Sequence, residues 1–174
     1  MKPLILPYKG ILPKIADDAF IAPGAVVIGD VEIGSETNVW FGCVIRGDVN
    51  TIRIGSRTSI QDGTVVHVTR KTAPTVIGSG VTIGHQALLH GCEVQDGAFI
   101  GMQSMVMDNA VVESGAMVAA GAVITPRKRV PSGEIWAGNP AKHMRALTPE
   151  ETAFIQTSEN NYVLLAQEYL RAQS

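Results

Sequence analysis

The chain has 174 residues, a formal net charge of −2, and 45% hydrophobic residues of which few are aromatic. This length suits one domain with a large core, and the shortage of aromatic residues indicates a core built from repeated aliphatic side chains. The charge balance and the absence of a long basic run argue against nucleic-acid binding. Pro3 and Pro7 interrupt the apolar residues near the start, so we expect neither a signal peptide nor a membrane span there.

Aliphatic residues recur every six positions from Ile21 to Ile124. A period of six fits neither an α-helix nor an ordinary strand, and it predicts a solenoid with three six-residue units in each coil. The first residue of each unit should point inward, together with a small fifth residue, while Gly and Asp serve the corners. Three extra residues between Ile45 and Ile54, and five between Val66 and Ile77, predict loops that leave the coil on either side of the histidines.

Four segments are expected: a lead-in over residues 1–18, a β-helix over 19–127, a connector over 128–147 and a helix over 148–174. The helix should begin at Thr148, because Thr148 and Glu151 form a capping box and Pro149 occupies the first helical position. Its apolar residues are expected to pack along the outside of the solenoid. These residues are Phe154, Ile155, Tyr162, Leu165, Ala166, Tyr169 and Leu170.

Three of the four histidines lie close together in the sequence. His67 and His90 are each the second residue of a unit on the same face, one coil apart, and Arg46 has the same position one coil earlier. The repeat therefore predicts a column with steps of ~4.8 Å, in which the two imidazoles can share a metal ion. His85 falls at a corner above Asp62, where it is badly placed to join them within one chain. This placement predicts a site completed by His85 of a neighbouring chain in a threefold assembly, while His143 lies outside the repeat and is expected at the surface.

The residues at 40–48, the Gln61-Asp62 pair, the three histidines and the residues at 138–142 together resemble the γ-class carbonic anhydrases, more narrowly their bacterial short-loop branch. The resemblance implies a left-handed parallel β-helix of hexapeptide repeats and a homotrimer that hydrates carbon dioxide reversibly to bicarbonate. It also implies a Zn2+ ion (or Fe2+ or Co2+) at each subunit interface, held by His67 and His90 of one chain and His85 of the next. Neither nucleic acid nor a membrane is implied as a partner.

The resemblance also suggests roles for individual residues. Gln61 corresponds to a residue that orients the metal-bound hydroxide, and Asp62 to one that accepts from the metal-bound water or holds a neighbouring group. Arg46 and Asp48 correspond to an ion pair across the interface, with Arg46 also near the bicarbonate; the alternative is an exposed salt bridge of little energetic value. Tyr162 corresponds to a tyrosine near the metal, and the alternative is a residue that only packs on the solenoid.

Some residues depart from the pattern of the archaeal prototype branch. Its long acidic loop, which shuttles protons, is replaced by residues 68–74 without any Asp or Glu, and Val49 and Ser59 replace an acidic residue and an asparagine. These changes predict slow turnover or different chemistry. Two alternatives therefore stay open: a CoA-linked acyltransferase or thioesterase on the same scaffold, and a metal-binding trimer without catalytic activity. Cys43 and Cys92 are expected to be reduced and structural, as in a cytoplasmic protein.

Overall fold

The structure is a computed structural model that describes residues 2–173, the last of these by its backbone alone. The chain forms a parallel β-solenoid of about seven turns followed by a single C-terminal helix. The fold predicted from the six-residue period is thus confirmed. Each coil contributes one short strand to each of three faces, and corresponding strands of successive coils pair in parallel.

We name the three faces by what they carry. The helix face contains Phe20–Ile21, Asn38–Val39, Ser59–Ile60, Thr82–Ile83, Phe99–Ile100, Met117–Val118, Glu134–Gly138 and the antiparallel Ala141–Ala146. The histidine face contains Leu4–Leu6, Val65–His67, Leu88–His90, Met105–Val106, Val123–Ile124 and the first parts of the long strands Val26–Ile33 and Val44–Ile54. The third face contains Lys14–Ile15, Thr75–Ile77, Glu93–Val94, Val111–Val112, Arg129–Val130 and the remaining parts of the two long strands.

The core consists of stacked aliphatic side chains, as the repeat predicts. On the histidine face the stack is Val27, Ile45, Val66, Leu89, Val106 and Ile124, each at most 1% exposed. Smaller residues, including Ala25, Cys43 and Ala87, fill the space next to the corner. Both thiols are free, and burial raises the pKa of Cys43 to about 11 and that of Cys92 to about 12, so neither is reactive near neutral pH.

The two interruptions of the repeat differ in form. Residues 48–51 stay within the long strand Val44–Ile54 and bulge opposite Asp30, because Gly47 pairs with Gly29 and Ile52 with Val31. This first interruption is therefore a β-bulge where a loop was predicted. The second interruption is the predicted loop, and it is closed at its base by a bridge between Thr69 and Ala73. Both interruptions lie beside the edge of the histidine face.

The helix Pro149–Gln173 begins with the predicted capping box. The Glu151 amide donates to Thr148 Oγ1 at 3.2 Å, and the Thr148 amide donates to the Glu151 carboxylate at 2.9 Å. Hydrogen bonds from Arg145 and from the Thr148 amide lower the pKa of Glu151 to about 2. Among residues 2–173 no helix is long and apolar enough to cross a membrane.

The helix packs along the helix face, and its stripe of buried side chains is narrower than expected. Ile155, Ser158, Val163 and Ala166 are buried. The prediction was wrong for Leu165 and Leu170, which are exposed. Phe154 and Tyr169 are also exposed, but each packs against an aromatic ring of the solenoid, Phe154 on Phe99 and Tyr169 on Trp40. A helix turns 100° per residue, so only residues three or four apart share its buried side.

An arginine ties the helix to the solenoid. The Arg57 guanidinium donates to Glu159 at 2.6 Å and to Asn160 at 2.7 Å, and it also pairs with Glu36 at 2.9 Å on a neighbouring coil. These contacts fix how far along the solenoid the helix lies, and therefore where Tyr162 is placed.

Candidate metal centre

The two histidines of the predicted column lie on adjacent strands. His67 and His90 are direct partners in the register of the parallel pair, and the register of the preceding pair continues the column down to Arg46. The aliphatic residues Val66 and Leu89 point into the core, so the alternation of a strand turns the following histidines outward. We call His67, His90 and the groups bonded to their rings the paired half-site.

Both rings of the paired half-site are bonded to carboxylates. His67 Nε2 lies 3.0 Å from Asp48 Oδ1, and His90 Nδ1 lies 2.6 Å from Asp108 Oδ1. The remaining nitrogens, His67 Nδ1 and His90 Nε2, face each other at 3.1 Å. If each ring donates its proton to its carboxylate, two lone pairs point at one another, and a cation between them relieves that repulsion. Two ligands of one tetrahedral zinc, each at ~2.0–2.1 Å, lie roughly 3.3 Å apart, so the spacing fits a shared metal.

The carboxylates of the paired half-site are held in their charged form. Burial alone would raise the pKa of Asp48, but hydrogen bonds from His67 and Arg46 outweigh burial and the pKa is lowered. For Asp108, hydrogen bonds from Thr69 and His90 likewise outweigh burial and lower the pKa. The predicted Arg46–Asp48 ion pair is present within a single chain; its position at an interface stays a prediction.

A second group of residues lies at the corner between the helix face and the histidine face. His85 Nδ1 is 2.9 Å from Asp62 Oδ2, as expected from their stacking, and both side chains are 45% exposed. Gln61 precedes Asp62 and is buried, and its side chain is hydrogen-bonded to the Tyr162 hydroxyl. We call these four residues the corner half-site. In His85, as in the paired half-site, one ring nitrogen is bonded to a carboxylate. Nε2 is therefore available to bind a metal ion.

Tyr162 packs on the solenoid and also reaches the corner half-site, while its position near a metal stays a prediction. Its ring packs edge-on against Trp40 at 5.9 Å between centroids, while its hydroxyl reaches Gln61. Burial, with a further contribution from the negative charge of Asp62, raises the pKa of Tyr162. The hydroxyl therefore stays protonated over the physiological range and can hold the Gln61 amide in one orientation.

The predicted site residues thus fall into two groups on one chain. Within residues 2–173 no group of three or more His, Cys, Asp or Glu residues is arranged to hold a metal ion. That His85 meets His67 and His90 between chains stays a prediction. The donor set fits a divalent metal, because neutral imidazoles oriented by carboxylates are what zinc and similar ions bind in proteins. His143 lies at the surface, as predicted, and its Nε2 is 4.0 Å from Glu134 Oε2.

The sequence analysis missed Asp108 and Thr69. The Asp108 carboxylate accepts from the Thr69 hydroxyl at 2.6 Å in addition to its contact with His90. The spacing held a signal, because Leu89 pairs with Val106, which places Asp108 one position beyond the residue that stacks on His90. The column argument considered only residues directly above one another, and Asp108 lies one step diagonally, above Gly91.

The repeat and coiled architecture define a hexapeptide-repeat protein. The sequence matches the family described as "Bacterial transferase hexapeptide (six repeats)" over residues 12–47 and 91–126. It is also 42% identical to a carbonic anhydrase of Geobacillus kaustophilus, over 95% of this chain and 91% of that protein. With this identity over nearly the whole of both proteins, the chain belongs to the γ-carbonic anhydrase family.

Two further comparisons broaden the picture. The chain is 54% identical to "Gamma carbonic anhydrase 2, mitochondrial" of Arabidopsis thaliana over 89% of its own length, but it spans only 58% of that protein. A solved structure of a hexapeptide transferase family protein from Anaplasma phagocytophilum superimposes with a TM-score of 0.93 at 49% identity, covering 97% of this chain and 99% of the other. Similar chains therefore carry both lyase and transferase names.

Proposed function

We propose that the protein catalyses the reversible hydration of carbon dioxide to bicarbonate at a divalent metal shared between two chains of a homotrimer. Zn2+ is the first candidate, with Fe2+ or Co2+ as alternatives. The observation that carries the proposal is the 3.1 Å distance between His67 Nδ1 and His90 Nε2, which face each other. The other nitrogen of each ring is hydrogen-bonded to a carboxylate. The names of the relatives from Arabidopsis and Geobacillus support the same activity.

The surface around the paired half-site supports assembly. Val65, Leu88 and Met105 stack outward in one column beside the histidines, and Val65 and Met105 are 38% and 42% exposed. An apolar column next to an incomplete polar site is typical of a contact surface. The two half-sites lie at different corners of the coil, so contact between them is head-to-tail, and a threefold rotation between chains would close it as a ring. Three chains then complete three identical sites.

The chain's own groups divide the work of the reaction. A bound metal would supply a nucleophile derived from water at neutral pH and a Lewis acid. The Gln61 amide, held by Tyr162, would orient the attacking oxygen, and the Arg46 guanidinium would attract and release the bicarbonate anion. Asp62 would hold the ring of His85 through Nδ1 and leave Nε2 for the metal. The loop 68–74 has no acidic residue, so proton removal would fall to a buffer molecule or to another group of the chain, and turnover should be slow.

Oxygen-isotope exchange between carbon dioxide and water tests the proposal. Protein loaded separately with zinc and with iron should exchange the label, and the His90→Ala variant should not. Exchange reports the hydration step without waiting for proton export, so slow proton removal does not mask it. Metal-loaded trimers without exchange would contradict the proposal.

A transferase is the second candidate, because the Anaplasma structure bears that family name. Acyl transfer needs one histidine as a general base and has no need of a metal held by three. Metal-free protein that turns over acyl-CoA, with activity lost in His85→Ala alone, would favour the transferase. The free, buried thiols are compatible with a reducing compartment, and a cytoplasmic location stays a prediction.

A further inference from the structure

The paired half-site contains a hydrogen-bonded chain that begins in the second loop. Thr69 Oγ1 donates to Asp108 Oδ2 at 2.6 Å, and Asp108 Oδ1 lies 2.6 Å from His90 Nδ1. The Thr69 carbonyl in turn accepts from the Asn50 side chain at 3.0 Å, which anchors the loop to the β-bulge. Both oxygens of the Asp108 carboxylate are thus held in defined directions.

The backbone next to His90 leaves room for this carboxylate. Gly91 has a positive φ of 58°, and a Cβ built at this position would lie only 2.8 Å from Asp108 Oδ1 and 2.8 Å from the Ala73 side chain. A side chain at residue 91 would therefore push Asp108 away from the imidazole. Glycine is needed here for the close approach as well as for the turn.

The two carboxylates of the paired half-site have different surroundings. Asp48 shares its charge between His67 and the Arg46 guanidinium. Asp108 is bonded to the neutral Thr69 hydroxyl, and within residues 2–173 no Lys or Arg forms an ion pair with it. Its charge is therefore not shared with a cationic side chain, and a carboxylate on one ring nitrogen of His90 makes the opposite nitrogen a stronger metal ligand.

We propose that Asp108, oriented by Thr69, is a positioning residue that fixes the proton of His90 on Nδ1 and aims the Nε2 lone pair at the shared metal. The inference rests on the proposed function, because it assigns Asp108 to the metal site of that function. The column argument that predicts the metal ligands includes neither Asp108 nor Thr69. A structural role alone, such as closing the corner, would not affect the His90 ring.

Zinc affinity of the full-length protein, measured by competition with a chromogenic chelator, tests the assignment. Asp108→Ala should weaken zinc binding by about 10–100-fold, the usual effect of losing an outer partner of a metal ligand. Asp108→Asn keeps an acceptor oxygen and should lose less, and Thr69→Val should weaken binding in the wild-type background but add nothing to Asp108→Ala. Asp96→Ala is the matched control, because Asp96 is a corner aspartate that accepts from the Ser79 amide and touches no histidine.

The ring nitrogens of His90 in metal-free protein provide a second readout. Their 15N shifts should report a proton on Nδ1 in the wild type and a mixture of tautomers in Asp108→Ala. Unchanged shifts, or a zinc affinity in Asp108→Ala equal to that of the wild type, would overturn the inference and leave the proposed function standing. A wild-type trimer that binds no zinc, iron or cobalt would overturn the proposed function and the inference with it.

Discussion

The paired and corner half-sites are built in different ways. The paired half-site lies entirely within the solenoid, where neighbouring strands in register bring its two rings together. Its histidines are also the better protected, with side chains 17% and 33% exposed against 45% for His85. The corner half-site has one such contact, between His85 and Asp62, and obtains Tyr162 from a helix about one hundred residues further along the chain.

The stacking of coils alone can form the paired half-site, whereas the corner half-site also needs the C-terminal helix. The paired half-site should be present whenever the coils are folded. The Gln61–Tyr162 contact should depend on how firmly the helix is held. Changes to the helix should therefore affect the orientation of the nucleophile while leaving the paired histidines intact.

Removing the corner half-site from one chain and the paired half-site from another is expected to have the largest effect on metal content. His85→Ala trimers and His67→Ala/His90→Ala trimers should each lose their metal completely, since each lacks one half of every site. Random mixing of equal amounts of the two chains should restore metal to about one quarter of the sites, because a directional ring needs an intact paired half-site followed by an intact corner half-site. Metal content by mass spectrometry after denaturation and refolding of the mixture measures this.

Two controls accompany the mixing experiment. A mixture of His67→Ala with His90→Ala should recover nothing, because both changes fall in the same half-site. Mixed trimers of the first pair that stay metal-free would argue against a site shared between chains.

The sequence predicted the paired half-site better than the corner half-site. The positions of Arg46, His67 and His90 follow from the aliphatic frame once the extra residues are counted, because parallel stacking fixes the register. Asp108 escaped the prediction because its contact crosses a corner diagonally, where the direction of a side chain depends on the backbone turn.

The docking of the helix was the hardest feature to predict. Its position depends on contacts such as Arg57–Glu159, which join residues 102 positions apart and leave no periodic signal. The wrong assignment of Leu165 and Leu170 to the buried stripe has the same origin. An amphipathic pattern limits which residues can be buried, but the partner surface decides which of them are.

Arg57→Ala should loosen the helix and weaken the corner half-site. The change removes the hydrogen bonds to Glu159 and Asn160, and we expect a loss of about 1–2 kcal/mol in helix docking, discounted because Arg57 is partly exposed. Hydrogen–deuterium exchange should increase over Pro149–Gln173 and stay unchanged in the strand Val65–His67. Arg129→Ala, which breaks an exposed pair with Glu113 away from the helix, is the matched control. Equal exchange in the two variants would contradict the role given to Arg57.

Tyr162→Phe should lower turnover with little effect on metal content. The ring still packs on Trp40, and only the hydrogen bond to Gln61 is lost. Such a bond contributes about 0.5–1.5 kcal/mol, so the isotope-exchange rate should fall by roughly 2–10-fold. Loss of metal in this variant would contradict this role, because it would mean that Tyr162 holds the metal-binding histidines and does more than orient Gln61.

The smallest expected effect is on the stability of the protein in alkali. The folded-state pKa of Tyr162 is raised above its unfolded value by burial and by the charge of Asp62, so folding favours the neutral phenol. This stabilisation is fully present below the unfolded pKa of about 10 and is lost as the pH rises through the folded pKa. Urea unfolding of the wild type should therefore weaken more between pH 9 and pH 11 than unfolding of Tyr162→Phe, which cannot ionise there (both values are set by the ~10 of a free tyrosine). Parallel pH dependences in the two proteins would show that burial and the charge of Asp62 do not raise the pKa of the phenol in the folded protein.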